Sequence, residues 1–355
     1  MIYTVSTIKD TQPNLDRFIG RNLRAGADHL FIFLEGPDAA AQSRRIASRH
    51  VTTIVPDERY WGGPPPLSLN ARQTINANLV NCLLAPFEWA GWLFHIDGDE
   101  CLHIDKAYLR SLDAGVHCVR AMPLEAVSQR DAGAEVTRFK RKLSAGELEK
   151  LHRLGMIDTA RNRAYFRGHV LGKSGIRPSP FLSLRVHDVK TPNHAVLRDH
   201  RSDRIRMLHY ESTSAADFIR KWKGHHGAPA ARRPEQNATR LAVSAVLDSR
   251  MLSDQAKQEQ LLGIYRRHIE DDVDTLESLG FLVTPDRRRH RYRPQAHTPW
   301  QADLIRQLLD VLLVADKRHF RPSNRRKVAR DLLRSISVIV PDEGLAKRVR
   351  WSLAR

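Results

Sequence analysis

The chain has 355 residues, 41% apolar and 28% charged, with a formal charge of +18: an ordinary globular balance for one large domain with an appendage or for two domains. No apolar run approaches the roughly 20 residues that span a bilayer, no signal-like segment opens the chain, and Cys82, Cys101 and Cys118 lack metal-ligand spacing and an even count, so a helical membrane protein is excluded, a reducing compartment fits better than a disulfide framework, and the cytoplasm is the expected compartment. The charge is concentrated, with 18 lysines and arginines against 7 acidic residues in 285–355, and a basic surface of this kind favours polyanions such as nucleic acid, anionic lipid or a phosphorylated substrate.

Taken in order, the first hundred residues alternate strand and helix. Ile2 to Ile8 is a β-branched run that predicts a strand. A helix follows, with Asn14 as expected N-cap, Leu15, Phe18, Ile19 and Leu23 on one face, and Gly26 as its stop. Leu30 to Leu34 and Val51 to Val55 read as a second and third strand, and Gly62-Gly63-Pro64-Pro65-Pro66 as a loop. A helix over about 68–84 leads to a fourth strand at Trp92, and a short helix after Asp105 leads to Val116-His117-Cys118-Val119. The β-α-β-α-β alternation argues for an α/β fold, a mostly parallel sheet flanked by helices with right-handed crossovers.

Beyond Gly133 the chain reads as helix and loop through Arg163, and from Ser214 helices dominate. Leu261, Leu262, Tyr265, Ile269, Val273 and Leu276 fall at helical spacing. Trp300, Leu304, Ile305, Leu308, Leu309, Leu312 and Leu313 form one apolar stripe, expected to dock on its own domain or a partner, with an anionic membrane surface as the other reading. The run Arg287-Arg288-Arg289-His290-Arg291 just before it suits lipid headgroups or a phosphorylated partner, though such runs are usually solvated loops.

The stretch richest in chemistry is Trp92 to Ile104. Trp92-Leu93-Phe94-His95-Ile96 has no alternation and so reads as a central strand covered on both faces; it ends in Asp97-Gly98-Asp99-Glu100. Ligands of open α/β sheets lie outside the carboxyl ends of such strands. Three carboxylates there need a cation, and two aspartates one residue apart can each offer an oxygen to a hard divalent ion, leaving positions for water and phosphate. Asp-Gly is also a common turn signal, so the motif alone is weak.

Six ordered motifs resemble the family-two-like glycosyltransferases of the GT-A fold, including the branch related to family ninety-two. They are Thr7-Ile8-Lys9-Asp10; Leu15 to Leu34 with Phe18-Ile19 and Gly26-Ala27-Asp28-His29; Arg72-Gln73 with Asn76; Trp92 to Leu102; Gly172-Lys173-Ser174 with His187; and Leu208-His209-Tyr210-Glu211-Ser212-Thr213-Ser214 with Phe218 and Lys221. The likeness covers 1–225, leaving 226–355 as a basic, helical C-terminal extension without a counterpart. The chain departs from the family at Glu35-Gly36-Pro37-Asp38, where Asp-Asn-x-Ser-x-Asp is usual, and at Cys101, where phenylalanine is usual.

The resemblance implies a Rossmann-like GT-A domain that moves a sugar from a nucleotide sugar, with a UDP-sugar the expected donor and Mn or Mg as cofactor. Asp97 and Asp99 are then the metal-side carboxylates, with His187 or His209 completing the shell. Lys9, Asp10, Glu35, Gln73 and Lys173 are the expected nucleotide contacts, Lys173 as a point charge on a phosphate. Glu100 and Asp188 are candidates for the general base that deprotonates the acceptor hydroxyl, with backbone bonding under the loop as the other reading of Glu100. The acceptor is a glycan, a lipid-linked glycan or a protein; the basic tail offers peripheral contact with an anionic membrane or a dimer interface.

Two other classes compete. A metal-dependent phosphotransferase or nuclease also wants clustered carboxylates and a basic surface, but expects them from several strands. A nucleic-acid-binding protein working through Arg287 to Arg293 with Tyr292 interleaved would leave the Asp-Gly-Asp-Glu turn unexplained.

Overall fold

The computed structural model describes residues 1–131, 135–191, 193–226, 237–286 and 292–321. Its contacts divide the chain into two compact units: Met1–Met122, Leu171–Met207 and the described part of Arg287–Arg355 form the first, and Pro123–Val170 with Leu208–Asp286 the second. This division by contact follows different boundaries from the end of the motif resemblance near residue 225. The run 287–291 and the basic segment 322–355 lie outside the described residues.

The first unit opens with β1 (Ile2–Ile8), α1 (Gln12–Ala25), β2 (His29–Leu34), α2 (Ala39–Ile46), β3 (Val51–Ile54), α3 (Glu58–Trp61), α4 (Leu69–Leu84), β4 (Trp92–His95), β5 (Glu100–Ile104) and α5 (Lys106–Ser111). Strand β6 (Cys118–Ala126) leads into the second unit, with β7 (Phe139–Lys140), α6 (Ala145–Arg153) and α7 (Asn162–Tyr165). The chain returns through β8 (Lys173–Ile176), β9 (Ser183–Leu184), β10 (Val189–Lys190) and β11 (His200–His209). The second unit then receives α8 (Ala215–His225), α9 (Asn237–Asp248), α10 (Asp254–His268), α11 (Val273–Ser278) and β12 (Leu282–Val283), and α12 (Pro299–Val314) belongs to the first.

The first unit is an α/β layer structure around a mixed sheet of order β6-β8-β4-β1-β2-β3. β1 runs parallel to β2 and β4, and β2 parallel to β3, whereas β8 is antiparallel to both β4 and β6. Every residue of β1 and β2 is buried, which is why neither strand alternates in sequence. One face packs Tyr3, Val5, Phe31 and Phe33 against Ile75, Leu79 and Leu83 of α4 and Leu304, Leu308 and Leu312 of α12. The other face packs Leu30, Ile32, Trp92 and Phe94 against Leu15 and Phe18 of α1 and Leu109 of α5.

The apolar stripe of α12 is therefore packed into the core of its own unit, as the docking reading expects. In this frame Trp300, 52% exposed, is the exception. Helix α1 begins earlier than the side chains suggest: Thr11 is the N-cap because Pro13 fits the first turn, and Asn14 donates to Asp10 Oδ1 at 2.7 Å instead of capping. Gly26 closes the helix at φ 126°, a conformation that favours glycine.

In the second unit β6 pairs antiparallel with β7, and β7 with β12. One core there gathers Leu148, Leu151, Tyr165 and Phe281, and another Phe218, Val243, Leu261 and Tyr265. The stripe Leu261 to Leu276 is carried by two helices: α10 ends at His268 and Asp272 caps α11 by accepting the Thr275 N–H. Among the described residues no helix is long and apolar enough to cross a membrane.

Candidate functional site

Strands β1, β2 and β4 run parallel, so the residues that follow them emerge at one edge of the first unit: Lys9 and Asp10 after β1, Glu35 after β2, Asp97 after β4. Helix α4 enters from the same edge, which puts its first turns over it. Three of its polar side chains then reach down: Arg72 donates to Glu35 at 2.6 and 2.9 Å, Gln73 to Asp97 Oδ1 at 2.7 Å, and Asn76 to Thr7 Oγ1 at 2.9 Å. Because β8 is antiparallel to β4, its first residue, Lys173, also stands at this edge. The order β4-β1-β2 reverses direction at β1, and such switch points are where open α/β sheets leave a crevice for a ligand.

The turn after β4 is closed from both ends. Glu100 N–H donates to Asp97 O at 3.1 Å, and the Glu100 carboxylate returns to accept the Asp97 N–H at 2.7 Å. Gly98 suits the tight space: a Cβ there would stand 3.1 Å from Ile8 Cγ2 of β1, which would have to give by a few tenths of an ångström. Lys173 Nζ lies 2.7 Å from Asp97 Oδ2 and 3.7 Å from Glu100 Oε2, with its own side chain fully buried. The Gly-Lys-Ser segment is thus a strand entry: Gly172 takes φ 72°, and a Cβ on it would come within 2.5 Å of Ala121 O. That backbone approach fixes where Lys173 points.

The electrostatics follow from burial and these contacts. Burial opposes the charge of Asp97, but Lys173, through its charge and its hydrogen bond, acts together with His95 to hold the carboxyl well below its usual range. Burial likewise disfavours the charged lysine, yet Asp97 and Glu100 together raise its pKa. His95, buried beneath the turn with Nδ1 3.3 Å from Arg185 O, is pushed down to about 4 by burial and then by Lys173, so it is neutral at pH 7.

Of the residues expected from sequence, Gln73, Asp97, Glu100 and Lys173 are brought into direct contact, with Asp99 partly exposed at the tip of the same turn. Lys9, exposed, lays its stem along Gly36. Asp10 Oδ1 accepts the Thr11 N–H and the Asn14 side chain, each at 2.7 Å. His187 Nδ1 faces Gly172 O at 3.1 Å, and Asp188 lies 3.7 Å from Arg185. His209 belongs to the second unit, where it is buried, with Nε2 3.3 Å from Glu211 and its ring stacked on His169.

One of these residues holds a position that the sequence reading does not foresee, and another takes the structural of its two readings. Lys173 is buried and spent on a carboxylate, where a solvated or phosphate-facing lysine was expected. Glu100 has 1% exposure and serves a backbone N–H, the structural alternative to a general base. Arg72 and His95 carry roles that the sequence reading did not assign; the apolar flanks of His95, within Trp92 to Ile96, were the available signal. The hard oxygen donors of the turn fit Mg or Mn better than a soft metal. Neither any protein-family model nor any curated protein matches the chain in sequence.

Proposed function

We propose that this chain is a metal-dependent glycosyltransferase of the GT-A type, moving a sugar from a nucleotide sugar, with a UDP-sugar as the expected donor, to a glycan, lipid-linked or protein acceptor. The observation that carries the reading is the set of polar residues at the switch point: Lys9 and Asp10 beside Asp97 and Asp99, at the carboxyl ends of adjacent parallel strands. The ordered motif resemblance adds to it. A compact acidic turn on one strand favours this over phosphotransfer or nuclease chemistry.

In this reading the nucleoside lies over β1 and β2, where Asp10 and the Glu35–Arg72 pair meet base and ribose, and the diphosphate lies towards the β4 turn. Asp99 is the carboxylate assigned to the metal, with His187 the imidazole that the resemblance offers within the same unit. A divalent ion held there would neutralise charge developing on the leaving nucleoside diphosphate. Asp97, Gln73 and Lys173 position the turn. Glu100 is committed to the Asp97 N–H, which makes the partly exposed Asp188 the better candidate for general base. Peripheral contact with an anionic membrane is assigned to the basic segment 322–355, since the apolar face of α12 is already packed.

The test is thermal stability against nucleoside diphosphates and nucleotide sugars, with and without Mn. A ligand that binds only the folded chain raises the melting temperature, by about 2.7 kcal/mol of stability at a hundredfold excess over Kd. A Mn-dependent shift with one nucleoside diphosphate is expected. A cooperative transition that no nucleotide moves contradicts the proposal.

A further inference from the structure

Three carboxylates at the end of a buried strand require a cation, and the folded chain already supplies one. Asp97 uses both oxygens internally, Oδ1 with Gln73 and Oδ2 with Lys173, each at 2.7 Å. Glu100 holds the Asp97 N–H and stands 3.7 Å from the same ammonium. Lys173 cannot swing aside. Its side chain is fully buried, its strand is paired on both edges, and Gly172 places it by close approach to Ala121 O.

We infer that Lys173 is the resident cation of Asp97, so that Asp97 takes no divalent ion and the turn meets a metal through Asp99. A divalent ion bonded to Asp97 at the usual distance of about 2.1 Å would sit within a few ångströms of the buried ammonium and be repelled by it. Asp97 is thereby a positioning residue, which sets the turn that presents Asp99. The assignment of the metal to Asp99 rests on the proposed function; the occupation of Asp97 by Lys173 rests on the geometry alone.

The experiment is calorimetric titration of the whole 355-residue chain with Mn alone, for wild type, Asp97→Asn and Asp99→Asn, together with their melting temperatures. Asp97→Asn is expected to bind Mn within about twofold of wild type while melting lower than Asp99→Asn, because Lys173 loses its partner. Asp99→Asn is expected to lose at least about tenfold in affinity with little change in melting. A tenfold loss in Asp97→Asn overturns the inference. If Asp97→Asn does not fold, Lys173→Gln decides: tighter Mn binding supports the inference, and unchanged or weaker binding overturns it. Absence of Mn binding in wild type overturns the metal contact of Asp99 and the metal-dependent reading of the function, and the melting of Asp97→Asn below Asp99→Asn then tests the Lys173–Asp97 pair by itself.

Discussion

Each unit contains a fully buried lysine clamped between two carboxylates, and the two clamps differ in one respect. Lys140 of the second unit lies 2.9 Å from Glu125 and 3.0 Å from Asp271, whose side chains are 1% and 5% exposed. Glu125 also accepts the N–H groups of Arg167 and Gly168 at 2.8 and 2.6 Å, and Asp271 that of Ser128 at 2.9 Å. Every charge there is matched internally and sealed. Lys173 of the first unit is equally buried, but its partner Asp97 is 28% exposed, at the end of a strand and beside a second aspartate. The same ionic device is therefore a closed staple in one unit and the floor of an open turn in the other. A buried charge pair alone says little about function; what distinguishes the second case is that one partner faces outward at a strand's carboxyl end.

The largest expected effect is at the sealed clamp. Lys140→Met leaves two buried carboxylates with only the partly exposed Arg167, 3.9 Å from Asp271, as a cation and is expected to cost about 3–5 kcal/mol in urea unfolding. Lys173→Met is expected to cost less, about 2–3 kcal/mol, because Asp97 regains water on its exposed side. Equal losses would erase the distinction between the two clamps.

Acid separates the clamps by window. His95 beside Lys173 titrates near 4 in the fold against 6.5 ordinarily, and buried His29 in the same unit near 3. The unfolded chain takes the proton first, so their contribution is complete above about pH 6.5 and declines as pH falls towards 4, by on the order of 3 kcal/mol for each. Glu125 beside Lys140 is held below its ordinary 4.5, against the effect of burial, by Lys140 and then His209, so its contribution is lost only below that pH. Amide exchange, corrected for intrinsic rates, is expected to lose protection in β1, β2 and β4 between pH 6.5 and 4.5 while β6–β7 amides near Glu125 hold. Simultaneous loss would contradict this.

How much of this was legible follows from what each residue needed in order to be read. The parallel strands were visible because fully buried strands are continuous apolar runs, and Asp97 was found because it ends one of them. Lys173 could not be placed, since nothing in Gly172-Lys173-Ser174 announces that β8 will insert antiparallel between β4 and β6 and deliver an ammonium to a turn 76 residues earlier. Strand β5 was hidden because it begins inside the acidic motif, at Glu100. The histidine His209 matched a motif in sequence, but Glu125 and His169, which lie against it, come from distant segments of the second unit that only the tertiary structure brings together.

Smaller effects sharpen the picture at the rim. Arg72→Gln removes a bidentate but partly exposed pair with Glu35 and is expected to cost about 1 kcal/mol or less, by thermal unfolding. Asp99→Asn, at the partly exposed tip of the turn, is expected to change stability by about 0.5 kcal/mol.

That last variant also provides the most direct test of the central claim. Release of nucleoside diphosphate from a panel of nucleotide sugars, in the presence of Mn, should be measured for the wild-type chain and for Asp99→Asn. The account predicts turnover of one donor class by the wild type and a loss of about 100-fold or more in the variant, with the fold intact. Equal turnover by both chains would contradict it.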